Sequence, residues 1–116
     1  MQREQRQTPR IQPFVAPCRW VLDERRAPGF LTDLSVRGGR VHTDAEPAAA
    51  GAAIVIEVRL GRQATHVRLP ATVRWSKVSP RGGFLFGVSF DGIGAGEQKA
   101  LEAVVEEFQR RAASIA

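Results

Sequence analysis

The sequence holds a single cysteine, Cys18, which excludes an internal disulfide. A lone thiol suits a reducing compartment, the cytoplasm, and Cys18 reads as a small buried residue rather than a nucleophile. Histidine is nearly as scarce. His42 and His66 stand far apart, and neither has a Cys or His neighbour at ligand spacing, so no metal site is expected. The chain has no Ser/His/Asp arrangement in recognisable context, no conspicuous carboxylate pair and no G-x-x-x-x-G-K-[ST] phosphate loop, so catalysis is not expected. The opening residues Met1-Gln2-Arg3-Glu4-Gln5 lack the apolar core of a signal peptide. No apolar run approaches membrane-spanning length, so no membrane insertion is expected. Internal repeats are also missing.

What is there fits one folded domain. A chain of 116 residues can bury a real core without metal or disulfide staples. Seventeen basic residues against twelve acidic give a net charge of +5, which favours an anionic partner but speaks to solubility as well.

Hydrophobic patterning divides the chain. Residues 1–13 are polar and carry Pro9 and Pro13, so they read as a mobile arm. Residues 14–113 read as the folded body. An apolar stretch over 14–22 is interrupted by Pro17, which predicts an edge strand or a bulge. Asp23-Glu24-Arg25-Arg26 reads as a charged turn into a short strand over 29–34. Gly38-Gly39 marks another turn, with 40–43 as a hairpin partner, and 44–53 reads as a loop. Ile54, Ile56, Val58 and Leu60 then alternate with Glu57 and Arg59. After a turn at Gly61-Arg62, Val67, Leu69, Ala71, Val73 and Trp75 alternate with His66, Arg68, Thr72 and Arg74. Phe84, Phe86, Val88 and Phe90 form a last alternating strand. These alternations read Trp75 and the phenylalanines as core, and the arginines around Arg59, Arg62, Arg68 and Arg74, with Lys77, as a solvated face. From Leu101 the period changes: Leu101, Val104, Val105 and Phe108 fall at i, i+3, i+4 and i+7, the apolar stripe of a helix. Glu97 near its start and Arg110-Arg111 near its end suit the helix dipole. The fold class expected is mainly β: a small six-stranded antiparallel barrel with a C-terminal helix packed on it.

Two motifs carry chemistry. The first is Arg6-Gln7-Thr8-Pro9-Arg10, an R-x-x-x-R in the arm. The second is Asp33-Leu34-Ser35-Val36-Arg37-Gly38, a D-x-S-x-x-G at a strand end. Alone, the first reads as solvated charge and the second as a hairpin turn whose Asp and Ser bond local backbone. Together they suit a guanine nucleotide. Guanine offers N–H donors on its Watson–Crick edge and acceptors at O6 and N7. An ionised Asp33 is purely an acceptor and matches the first edge, with the Ser35 hydroxyl beside it on the same strand face. Arg6 and Arg10 can meet the acceptor edge, a phosphate or the flat of a base. Gly38 and Gly39 permit close backbone approach.

At this point the chain resembles a known family, the bacterial PilZ domains that bind cyclic di-GMP. The resemblance rests on Arg6-Gln7-Thr8-Pro9-Arg10, on Asp33-Leu34-Ser35-Val36-Arg37-Gly38 and on Phe86-Gly87-Val88-Ser89-Phe90, and it runs from Arg6 to about Phe108. It implies a ligand, cyclic di-GMP, held by Arg6, Arg10, Asp33, Ser35 and Gly38, with Gly39 as a further backbone contact. In such domains an extra arginine just before the R-x-x-x-R goes with a stacked pair of dinucleotides. That position is Gln5 here, which favours one dinucleotide per domain. The resemblance implies a cytoplasmic, non-enzymatic receptor with no other cofactor. Having no attached output domain, it would signal in trans to an unidentified protein in motility, biofilm formation, secretion or transcription.

Two further readings come from the residues. A small basic barrel with an aromatic-bearing sheet can bind nucleic acid, though a carboxylate at Asp33 repels a phosphate backbone. A pure protein-interaction adaptor can keep the motifs without useful ligand affinity.

Overall fold

The computed structural model describes residues 14–59 and 67–115. Expectations for the arm, for Leu60, for the turn at Gly61-Arg62 and for His66 lie outside them.

Six strands close into an antiparallel barrel. In chain order they are β1 Ala16–Leu22, β2 Arg25–Leu34, β3 Gly38–Thr43, β4 Ala53–Val58, β5 Val67–Val78 and β6 Phe84–Ser89, followed by α1, Ala95–Ile115. Around the barrel the order is β1-β2-β3-β6-β5-β4, and β4 closes back on β1. A mainly β barrel with one C-terminal helix is thus what the alternation predicted.

Each strand sends its apolar face inward. Trp20, Leu31, Val41, Ile56, Leu69, Val73 and Phe86 are fully buried at the centre. The Trp20 indole N–H donates to Thr43 Oγ1 at 3.1 Å, and that hydroxyl donates to the Pro28 carbonyl at 2.8 Å, so the buried polar atoms are satisfied. The Trp20 and Phe86 rings meet edge-on at 5.7 Å.

Three prolines lie inside strands without breaking them. Pro17 pairs with β2, whereas β1 meets β4 only from Cys18 onward. Pro28 and Pro70 likewise pair with one neighbour before the other joins, at Phe30 and Thr72 respectively. A proline at a one-sided position forfeits no second ladder bond. Pro17 therefore needs neither an edge strand nor a bulge.

Glu97 stands in the first turn of the helix, and its carboxylate accepts the Gly94 N–H at 3.1 Å, half of a capping box. Leu101, Val104, Val105 and Phe108 are buried against β5 and β2, as the stripe predicted. The Phe108 ring meets Phe14 edge-on at 5.1 Å. Arg110 and Arg111 do not cap the end. The helix runs on to Ile115, and both pair with Glu107.

Several boundaries differ from the sequence reading. β2 starts at Arg25, so the charged turn shrinks to Asp23-Glu24, where Asp23 has a φ of +54°. Gly38 and Gly39 are not a turn but the first residues of β3. The turn is made by residues 35–37. Val36 is 46 % exposed and does not share the buried side of Leu34, because β2 has already ended.

Two β-bulges do the most to shape the outer surface. Leu31 faces Val41 and Leu34 faces Gly39, so β2 uses one residue more than β3 over this interval. Val73 faces Val88 and Ser76 faces Phe86, which puts one extra residue into β5 opposite β6. A bulge inverts the in–out phase of everything beyond it. In β2 it turns Asp33 outward and Leu34 inward. In β5 it turns Trp75 out of the barrel, and the indole is 40 % exposed. The expectation that Trp75 is core is thereby corrected. Phe86 and Phe90 are core as expected, and Phe84 is only half-buried.

Candidate functional site

The bulges align four strands into one outward row. Asp33 faces Arg40, Arg40 faces Gly87 and Gly87 faces Trp75. With strands ~4.8 Å apart, the row is about 14 Å across. Beside it, Ser35, Arg37 and the glycines complete a cavity of about 340 Å³ on the barrel exterior.

Each part has a local cause. The Ser35 hydroxyl accepts the N–H groups of Arg37 and Gly38 at 3.2 and 3.4 Å, and the Ser35 N–H donates to the Gly38 carbonyl at 2.8 Å. Ser35 thus holds the turn that follows β2. The Arg37 carbonyl accepts the Phe90 N–H at 3.0 Å, which ties the turn to the end of β6. Gly38 is required by close approach: a Cβ there would lie 2.2 Å from the Val88 carbonyl oxygen. Gly87 leaves room for the Trp75 ring, since a Cβ would lie 2.3 Å from the indole nitrogen. The indole therefore rests on bare backbone, with the Lys77 ammonium 5.8 Å from its ring centre.

Charge is divided across the row. Among the described residues, the Asp33 carboxylate has no hydrogen-bond or ion-pair partner. Arg40 stands opposite it in register but turns aside, and its Nε donates to Thr32 Oγ1 at 3.3 Å. Next to Trp75, Arg74 binds the Ser89 hydroxyl at 2.7 Å and pairs with Asp91. The Ser89 hydroxyl donates to Asp91 at 2.9 Å. That bond, with the Arg74 guanidinium, holds the Asp91 carboxyl below the ordinary Asp value. On the far side of the barrel the buried Glu57 carboxylate pairs with Arg68 and, at 3.6 Å, with Arg26. Cys18 is half-buried, and burial pushes its thiol up to about 12.

Among the described residues no group of three or more His, Cys, Asp and Glu could hold a metal. His42 instead has Nε2 at 2.9 Å from the Gly82 carbonyl oxygen, to which it donates. The arrangement offers an acceptor (Asp33), donors (Arg37 and Arg40) and a flat apolar plane (Trp75) on one rigid face. That set can take a planar base with its phosphate.

Asp33, Ser35, Gly38 and Gly39 are brought together as the sequence predicted. Gln5, Arg6 and Arg10 lie outside the described residues. The sequence reading missed Arg40 and Trp75. Arg40 had a signal, since strand alternation from Gly38 puts Arg40 on the same face.

A family model for the PilZ domain matches residues 4–107. The chain belongs to the PilZ domain family. No curated protein matches this PilZ domain. Among solved structures it is similar to the Bacillus subtilis inhibitor of motility (MotI/DgrA), with a TM-score of 0.63 and 22 % identity. The match covers 96 % of this chain and 53 % of that one, so this PilZ domain spans about half the length of that structure. At such identity the likeness establishes the shared fold.

Proposed function

We propose that this PilZ domain is a non-enzymatic receptor for cyclic di-GMP. The observation that carries the reading is the row Asp33–Arg40–Gly87–Trp75 beside the Ser35–Gly38 turn. Asp33 accepts the N1 and N2 protons of one guanine, and the lack of a competing partner among the described residues supports this role. Trp75 offers a stacking plane worth about 1–3 kcal/mol per base. Arg37 and Arg40 face the phosphates, and Arg6 and Arg10 of the N-terminal segment close over the acceptor edge. Ligand binding would draw that segment onto the barrel and change the surface shown to a partner protein in trans. The site of action proposed is the cytoplasm. Among the described residues no helix is long and apolar enough to cross a membrane.

Calorimetry with cyclic di-GMP tests this, with Asp33→Ala and Arg10→Ala as controls. Heat with micromolar affinity, lost in both variants, is expected. No heat at ligand concentrations on the order of tens of micromolar refutes the receptor reading. Unchanged affinity in both variants refutes the site. The same titration reads stoichiometry, and Gln5 predicts one dinucleotide per domain. The adaptor alternative predicts no heat. The nucleic-acid alternative predicts binding that falls steeply with salt and does not need Asp33.

A further inference from the structure

A second hollow, of about 500 Å³, lies on the same outer face next to the nucleotide cavity. Its floor is a neighbouring cross-strand row in which Phe30 faces His42 and His42 faces Leu85. Val15 extends the floor. Phe30 is 47 % exposed and Val15 39 %, so the barrel displays contiguous apolar area there. The rim is basic: among the described residues Arg40 and Arg81 border it, and no carboxylate does. The Arg81 side chain has no partner among the described residues.

Charge selects the occupant. Residues 1–13 bring Arg3, Arg6 and Arg10 against a single Glu4, so they would set arginine against arginine. A second copy of a chain with net charge +5 meets the same repulsion. A segment that is apolar on one side and acidic at its flanks matches both floor and rim. Arg40 adds a connection, because it borders both hollows. One guanidinium cannot fully engage a nucleotide phosphate in one hollow and a carboxylate in the other.

We propose that the Phe30–Leu85 groove docks an acidic amphipathic segment of a partner protein, and that Arg40 makes this docking antagonistic to nucleotide binding. The antagonism rests on the cyclic di-GMP reading; the docking does not.

The test selects a displayed library of random short peptides against the nucleotide-free full chain. Enriched sequences should combine Leu, Ile or Phe with Asp or Glu. Phe30→Ser and Arg81→Glu, both at exposed positions and checked by thermal melting, should each weaken the best peptide about tenfold or more. Saturating cyclic di-GMP should weaken it about fivefold or more. Failure to enrich, enrichment of basic sequences, or indifference to both substitutions overturns the docking site. So does sedimentation showing a dimer that Phe30→Ser dissociates. Nucleotide that binds by calorimetry yet leaves peptide affinity unchanged overturns the antagonism. Peptide binding with no calorimetric response to cyclic di-GMP leaves the groove standing and refutes the receptor reading instead.

Discussion

The indole of Trp75 rests directly on the backbone of Gly87, so two substitutions probe one contact from opposite sides. Trp75→Ala removes the stacking plane. At about 1–3 kcal/mol per stacked base, cyclic di-GMP affinity should fall roughly 5- to 150-fold. Gly87→Ala keeps the plane but displaces it. The added Cβ would lie 2.3 Å from the indole nitrogen, and ordinary contact begins at 3.4 Å, so the ring must lift by about 1.1 Å. A radial displacement near 1 Å forfeits a quarter to a half of a dispersion well. The expected affinity loss is therefore only about 2- to 10-fold. Stability should change little in either variant, because the indole lies outside the barrel and is free to swing toward solvent. Calorimetry measures the affinities, and thermal melting confirms the fold. If Trp75→Ala binds within about twofold of the parent while Asp33→Ala loses binding, Trp75 is not a wall of the site. If Gly87→Ala costs more than Trp75→Ala, the glycine serves something other than seating the indole.

Three other outcomes follow from particular contacts. Gly38→Ala should lower the urea midpoint by the equivalent of about 1–3 kcal/mol with or without ligand, since its Cβ would meet the Val88 carbonyl oxygen at 2.2 Å and backbone must yield. Unchanged stability with lost binding would assign Gly38 to the ligand alone. Cys18 should react with a thiol reagent about 1,000-fold more slowly in the native protein than in urea, because burial moves its thiol from 9.0 to about 12 and depletes the thiolate. Equal rates would contradict that. The Asp91 carboxyl should titrate below 3.8 by carbon NMR, first because Ser89 donates to it and then because Arg74 pairs with it. A folded value below the unfolded one means this contribution to stability is present above the ordinary carboxylate range and fades as pH falls through the folded value. Arg74→Ala should move the midpoint up, and no movement would exclude Arg74 as a cause.

The barrel was legible because its strands obey a simple period. Ile54, Ile56 and Val58, or Leu69, Ala71 and Val73, name their own inner face, and the stripe from Leu101 to Phe108 names the helix just as directly. What period two cannot show is a change of phase. In β2 the break is visible once sought: the apolar residues Leu31 and Leu34 are three apart rather than two, which strict alternation does not allow. In β5 nothing marks the break, because a tryptophan after Val73 fits either face. Its outward turn is decided by the pairing with β6, a non-local fact. Arg40 was within reach, but its importance comes from standing opposite Asp33, and that register is set by the bulge as well.

The D-x-S-x-x-G motif brings Asp33, Ser35 and Gly38 to the lining of one cavity. Its residues act on three different things. Asp33 faces the cavity with its carboxylate unpartnered among the described residues. The Ser35 hydroxyl closes the turn on Arg37 and Gly38. Gly38 lets β3 lie close against the Val88 carbonyl of β6. The guanine and hairpin readings of this motif are therefore not rivals. The turn anchors the end of β2 to β6 through the Arg37 carbonyl and Phe90, and that anchoring fixes Asp33 at a set distance from Trp75 across four paired strands. In a closed barrel the backbone distance between those two positions cannot relax, so on the proposed reading the acceptor and the foot of the stacking plane are set before any ligand arrives. On the proposed reading Arg6 and Arg10 supply the remaining contacts, so Arg10→Ala should weaken cyclic di-GMP binding while leaving the Asp33–Trp75 row intact.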